Sequence, residues 1–205
     1  MIGLHRARRA RVGLCSGVLV LLASFGCAAN GQPGSASSFM IVNSLTAASG
    51  ARPTTFSGSL GSDVVTKVQL VPTVFEDTGR VSLSLGMKNP SPANQPSQIN
   101  YITLRGYRVT YTRADGRNTP GVDVPYPFDG ALTVTVGQEP VTATFVLVRI
   151  QAKKEAPLLA LIGGGGAFAI STMADVVLYG VDQAGRDVTV TARISVNFAD
   201  WGDPL

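Results

Sequence analysis

The chain has 205 residues, 45 % hydrophobic and 15 % charged, with 17 Lys and Arg against 13 Asp and Glu, a size and composition that suit one well-buried domain with a sparsely charged surface. Its only histidine, His5, and its only cysteines, Cys15 and Cys27, all fall within the first 27 positions. The remainder therefore lacks imidazole and thiol, which excludes from it a Ser-His-Asp triad, a cysteine nucleophile and histidine-based zinc or iron sites.

Residues 1–26 read as an export leader. A basic stretch (Arg6, Arg8, Arg9, Arg11) is followed by an apolar run over 12–25 and then by small residues. About 14 apolar residues fall short of the ~20 needed to span a bilayer as a helix, so cleavage is expected rather than retention as an anchor. Four of the 17 basic residues lie in this leader and none of the 13 acidic ones do, which leaves 13 of each sign in the rest. The excess of positive charge thus belongs to the leader, and no nucleic-acid partner is expected.

LLASFGC, residues 21–27, resembles the lipobox of bacterial lipoproteins, in which a small residue precedes a cysteine that becomes the acylated N-terminus. Gly26 and Cys27 fit; Ser24 stands where the family has leucine, and Phe25 where it prefers Ala or Ser. The resemblance implies lipidation of Cys27 with palmitate-type acyl chains and a membrane partner held through that anchor. It would also dispose of an unpaired thiol in an oxidising compartment. The alternative is ordinary signal-peptidase cleavage near Ala28 and Ala29, which would discard Cys27 and leave a soluble secreted protein. AANGQPGSASS, residues 28–38, has linker composition, so residues 27–38 are expected to be the lipidated cysteine and its tether, reaching ~15–20 Å.

From residue 39 to 205 the sequence alternates apolar and polar positions over short stretches, the period-2 mark of half-buried strands. Strands are predicted over 39–46, 64–70, 80–88, 101–113, 132–136, 141–151, 168–181 and 187–198. The alternation is sharpest at Val81, Leu83 and Leu85 and at Val188, Val190, Ala192, Ile194 and Val196. Gly116 and Gly185 are placed where turns need positive φ, and the proline-rich 89–98 reads as a loop. The predicted fold class is all-β, an antiparallel β-sandwich of immunoglobulin-like or fibronectin-III-like type with about seven or eight strands. Through YRVTYTRADGRNTPGVDVPYPFDG (107–130) and ISVNFADWGDP (194–204) the chain also resembles a group of uncharacterised bacterial lipoproteins with an Ig-like domain. That kinship implies export and lipidation and transfers no functional residues.

Residues 156–170, APLLALIGGGGAFAI, are uncharged and hold four consecutive glycines. No Lys follows them, so the phosphate-loop pattern fails. Leu158, Leu159, Leu161 and Ile162 either cap one end of the core or form an exposed loop that contacts a partner or the membrane, with Lys153 and Lys154 suited to lipid headgroups.

Catalysis would have to rest on carboxylates, as in a glycan hydrolase that needs two of them about 5–9.5 Å apart. Glu76, Asp77, Asp123, Asp129, Glu139 and Asp175 are the candidates, and their spacing selects no pair. Asp115, Asp123 and Asp129 share one connection but lack the D-x-[DN]-x-[DN]-G pattern of a calcium loop. Arg105, Arg108, Arg113 and Arg117 form either a basic stripe or a solvated strand face. Trp201 is read as a plug on the last strand or as a ligand contact; Tyr126 and Phe128 as core or binding residues. The combined expectation is a module of the cell envelope that carries no catalytic residues, metal or cofactor. It is exported and membrane-anchored, on the outer membrane facing the periplasm or on the cell surface, with a binding or structural role and another envelope protein as partner. The rivals are a carboxylate-dependent glycan hydrolase and a soluble secreted ligand-binding protein.

Overall fold

The computed structural model describes residues 35–91, 93 and 95–201; the leader, Cys27 and residues 28–34 of the expected tether lie outside the described residues. The alternating stretches fold as β1 (Ser38–Ala48), β2 (Ser59–Asp63), β3 (Thr66–Val68), β4 (Val71–Thr73), β5 (Asp77–Met87), β6 (Ile102–Thr112), β7 (Phe128–Val136), β8 (Val141–Val148), β9 (Ile170–Asp182) and β10 (Asp187–Ala199). The chain is all-β. β1, β5 and β8 form one antiparallel sheet in that order, and a second runs β2-β10-β9-β6-β7. Antiparallel pairing holds throughout except between β2 and β10, which run parallel from Ser59 opposite Ser195 to Asp63 opposite Ala199.

The two sheets share one core. Val81 and Leu83 of β5 meet it from one side, Val176, Leu178, Ile194 and Val196 from the other, all nearly or wholly buried. Each such side chain contributes roughly 1.5–3 kcal/mol on burial. Tyr107 sets its ring 4.9 Å from Phe145 and 6.2 Å from Phe128. Tyr111 packs edge-on to Phe198 at 5.6 Å and donates its hydroxyl to the Leu147 carbonyl at 2.6 Å, tying the sheets together by a buried polar link. A bulge at Arg105 slips the register of β6, so Ile102 and Leu104 face the core before it and Tyr107, Val109 and Tyr111 after it.

Three expectations are corrected. The strand predicted over 64–70 shrinks to β3, because Gln69 and Leu70 take positive φ (51° and 66°) and turn the chain so that β4 folds back on β3, with Val68 opposite Val71. The strand predicted to 151 stops at Val148 and gives way to a single helical turn, α1 (Ile150–Lys153), and a 3-10 turn, Leu158–Leu161. Ala36 and Ser38, within the expected tether, are buried, and Ser38 donates its hydroxyl to the Asn100 carbonyl at 2.7 Å. Gly116 and Gly185 do take positive φ; Gly185 closes the β9–β10 hairpin and Gly116 a turn inside the long 113–127 connection.

The chain comes in at one end of the β9–β10 ladder, where Arg186 Nη1 reaches the Ser35 carbonyl at 3.4 Å. β9 then spans 13 residues, at about 3.3 Å per residue some 40 Å of length. At its far end lie the start of β5, the segment 149–169, Trp201, the β3–β4 hairpin and the 113–127 connection.

Candidate functional site at the distal end

The far end combines two features that burial alone would not produce. The first is a charged pair inside it. Asp77 opens β5 opposite Val148, on the same inward parity as Val81 and Leu83. Lys153 closes the helical turn after β8, and its Nζ donates to Asp77 Oδ1 at 2.9 Å with the two side chains 1 % and 0 % exposed. The carboxylate is completed by the Gly50 N–H on Oδ1 at 2.9 Å and the Ser62 hydroxyl on Oδ2 at 2.6 Å. Beside Ser62, Asp63 is also buried. Burial pushes its pKa above the ordinary carboxylate range, opposed by the Thr66 hydroxyl on Oδ2 at 2.5 Å and the Trp201 N–H on Oδ1 at 3.0 Å.

The second is a set of exposed apolar side chains. Leu70, at the apex of the β3–β4 hairpin, is 88 % exposed, and Val68 and Val71 flank it. Phe168, Leu159, Ile162 and Val122 are exposed on the neighbouring connections, with Trp201 partly so. The run 158–162 is thus divided: Leu158 and Leu161 are buried, Leu159 and Ile162 exposed. A 3-10 turn repeats every three residues, which puts 158 and 161 on one side and 159 and 162 on the other. Gly163, Gly165 and Gly166 take positive φ, and the Gly163 N–H donates to Asp200 Oδ2 at 2.6 Å, fastening the glycine turn to the end of β10. Lys153, expected to face headgroups, is interior; Lys154 is exposed.

The candidate carboxylates are dispersed. Asp77 is held in the core, Asp129 pairs with Arg108 at 2.7 Å on β7, and Asp175 pairs with Arg193 at 2.5 Å on the outer face of β9. Asp123 accepts from the Thr119 N–H at 3.2 Å, while Glu76 and Glu139 are exposed. Asp115 takes Arg113 at 2.6 Å and Arg117 at 3.2 Å, and the Arg113 guanidinium holds its pKa well below the usual range. Three of the four arginines of the expected basic stripe are therefore paired, and Arg105 stands at the bulge. Among the described residues no group of three or more His, Cys, Asp or Glu is placed to hold a metal, and no helix is long and apolar enough to cross a membrane. Phe128 belongs to the core with the Arg149 guanidinium 4.5 Å above its ring, whereas Tyr126 is exposed beside Gly121.

The near end is mainly polar, although Ile99 is 64 % exposed there. Arg186 Nε meets Asp182 Oδ2 at 2.7 Å, and the Ala184 and Arg186 N–H groups each donate to Oδ1 at 2.9 Å. Burial raises the Asp182 pKa, but these donors outweigh it and hold the group below the ordinary range. A cavity of roughly 690 Å³ opens alongside, lined by Ser37, Lys88, Gln95, Asn100 and Arg186 among others. Comparison with family models, with curated proteins and with solved structures finds no match to this chain.

Proposed function

We propose that the chain is an exported, lipid-anchored module of the bacterial cell envelope, an immunoglobulin-like sandwich that carries no catalysis and docks another envelope protein through its distal end. The observation that carries this reading is the segregation of exposed apolar side chains, Leu70, Val71, Leu159, Ile162, Phe168 and Val122, at the end opposite Ser35. Scattered exposed apolar residues are ordinary; concentration at one end marks an interaction site.

A protein fits better than the anchoring bilayer as the occupant. Seven residues lie between positions 27 and 35, and the eight steps they make reach at most ~29 Å. For the apolar end to meet that bilayer end-on, Ser35 would have to stand about 40 Å above it, the length of β9. An end-on apolar surface on a body tethered at the other end faces away from its own membrane.

Photo-crosslinkers at positions 70 and 168, with position 99 at the near end as control, test the docking in intact envelopes. One protein crosslinked from both distal sites and not from 99 is the expected result; lipid adducts, or no adduct, would overturn it. Cys27→Ser should release the protein from the membrane fraction, and unchanged association would remove the anchor. Hydrolysis of a glycan that stops on replacing one carboxylate would favour the hydrolase instead.

A further inference from the structure

We propose that Lys153 and Asp77 become joined by an intramolecular isopeptide bond between Nζ and Cγ. This goes beyond the docking reading and stands or falls separately from it.

Both partners are sealed from water, 1 % and 0 % exposed, with Nζ 2.9 Å from Oδ1. Among the described residues Asp77 is the one hydrogen-bond acceptor of Lys153, which leaves two of three ammonium N–H groups without a protein acceptor. An ion pair in such a place is costly, because the mutual attraction repays desolvation only when the remaining donors are satisfied. An amide needs one donor and one acceptor, and it removes both charges from the core.

The donors around the carboxylate suit this step. A proton passing from Nζ to the carboxylate turns ammonium and carboxylate into amine and acid without change of net charge. The amine lone pair attacks Cγ, and the negative charge that develops on Oδ1 meets the Gly50 N–H already 2.9 Å away. The Ser62 hydroxyl donates to Oδ2, the oxygen that leaves. The Nζ–Cγ bond forms and the Cγ–Oδ2 bond breaks. Two of the three ammonium protons depart with Oδ2 as one water, and the third remains on the amide nitrogen. No oxidant, cofactor or second substrate enters, and the enforced proximity of the two groups supplies much of what such a condensation needs.

The product would staple the start of β5, the middle strand of its sheet, to the turn after β8 at the base of the apolar end. The experiment is mass spectrometry of the purified full chain. The expected results are an intact mass lower by one water and a tryptic fragment in which the peptides containing residues 77 and 153 are joined, with cleavage after Lys153 lost. The joined fragment is decisive because Asp115-Gly116 and Asp129-Gly130 can lose water by closing on the backbone. Lys153→Met and Asp77→Ala should each abolish it. Separate peptides carrying unmodified Asp77 and free Lys153 in the folded wild-type chain would overturn the proposal, whether or not the variants fold.

Discussion

At the near end of the β9–β10 pair, charge lies where water can reach part of it: Arg186, one-third exposed, closes over Asp182 and reaches back to Ser35 and Ser37. At the far end the arrangement is inverted, with Lys153 and Asp77 inside and Leu70, Leu159 and Phe168 outside. Both ends terminate the same strands, so strand geometry does not account for the difference. The near end fastens residues 35–37 through Arg186; the far end holds a charged interior and an apolar exterior, neither of which favours folding by itself.

The largest effect should come from breaking the interior pair. Asp77→Ala leaves an ammonium in the core with no counter-charge and orphans the Ser62 hydroxyl and Gly50 N–H. A loss of about 3–5 kcal/mol is expected from the pair alone, read from the urea midpoint. An isopeptide enclosing residues 77–153 would add a chain-entropy loss of about 4 kcal/mol on removal. A loss below about 1 kcal/mol would mean the end tolerates an unpaired Lys153, and the contrast with the near end would collapse.

Next in size is the corresponding change at the near end. Arg186→Ala removes the guanidinium from Asp182 but leaves the two backbone N–H donors in place. With Arg186 partly in water, screening limits the loss to about 1–2 kcal/mol. A loss equal to that of Asp77→Ala would show that the two ends hold charge in the same way.

How far this division could be read beforehand depends on the residues. Alternation at Val81, Leu83 and Leu85 and along 188–196 placed β5 and β10 correctly, since a half-buried strand must alternate. Carried back by two and four residues, the parity of Val81 puts Gly79 and Asp77 on the inner face. The strand predicted from residue 80 stops short of both, so the burial of Asp77 was legible only by carrying that alternation past its predicted start. That of Lys153 was not: it lies in a four-residue helical turn, and its partner is 76 positions away. The hairpin at Gln69-Leu70 was hidden for a different reason. Both residues take positive φ without the Gly or Asn that announces such a turn, so Val64, Val68 and Leu70 read as one strand running through it. Arg105 hid the register slip of β6 in the same manner, because a bulge is a property of the pairing rather than of the residue.

The strained hairpin offers a smaller effect of opposite sign. Leucine in the left-handed region costs about 1–2 kcal/mol relative to a conformation it prefers, and glycine bears no such cost. Leu70 is 88 % exposed and gives up little packing on truncation. Leu70→Gly should therefore stabilise the fold by about 1 kcal/mol in a urea melt while weakening crosslinking from position 168. A side chain kept at a conformational cost and turned to solvent is one held for contact. Stabilisation with crosslinking unchanged would remove Leu70 from the docking surface.

Acid should separate the ends last and least, with opposite signs. The Asp182 pKa is depressed in the fold, so its contribution is present above the ordinary carboxylate pKa and fades as pH falls below it. The Asp63 pKa is raised, so its ionised form penalises the fold at neutral pH, and that penalty vanishes as acid protonates it. Comparing urea stability at pH 7 and pH 3, Asp182→Asn should shrink the wild-type decline and Asp63→Asn should enlarge it. The screening of Arg186 by solvent keeps the first of these changes small. A decline that shrinks for Asp63→Asn as well would show that Asp63 is stabilised as an anion by Thr66 and the Trp201 N–H, and that the far end tolerates its buried charge as readily as the near end does.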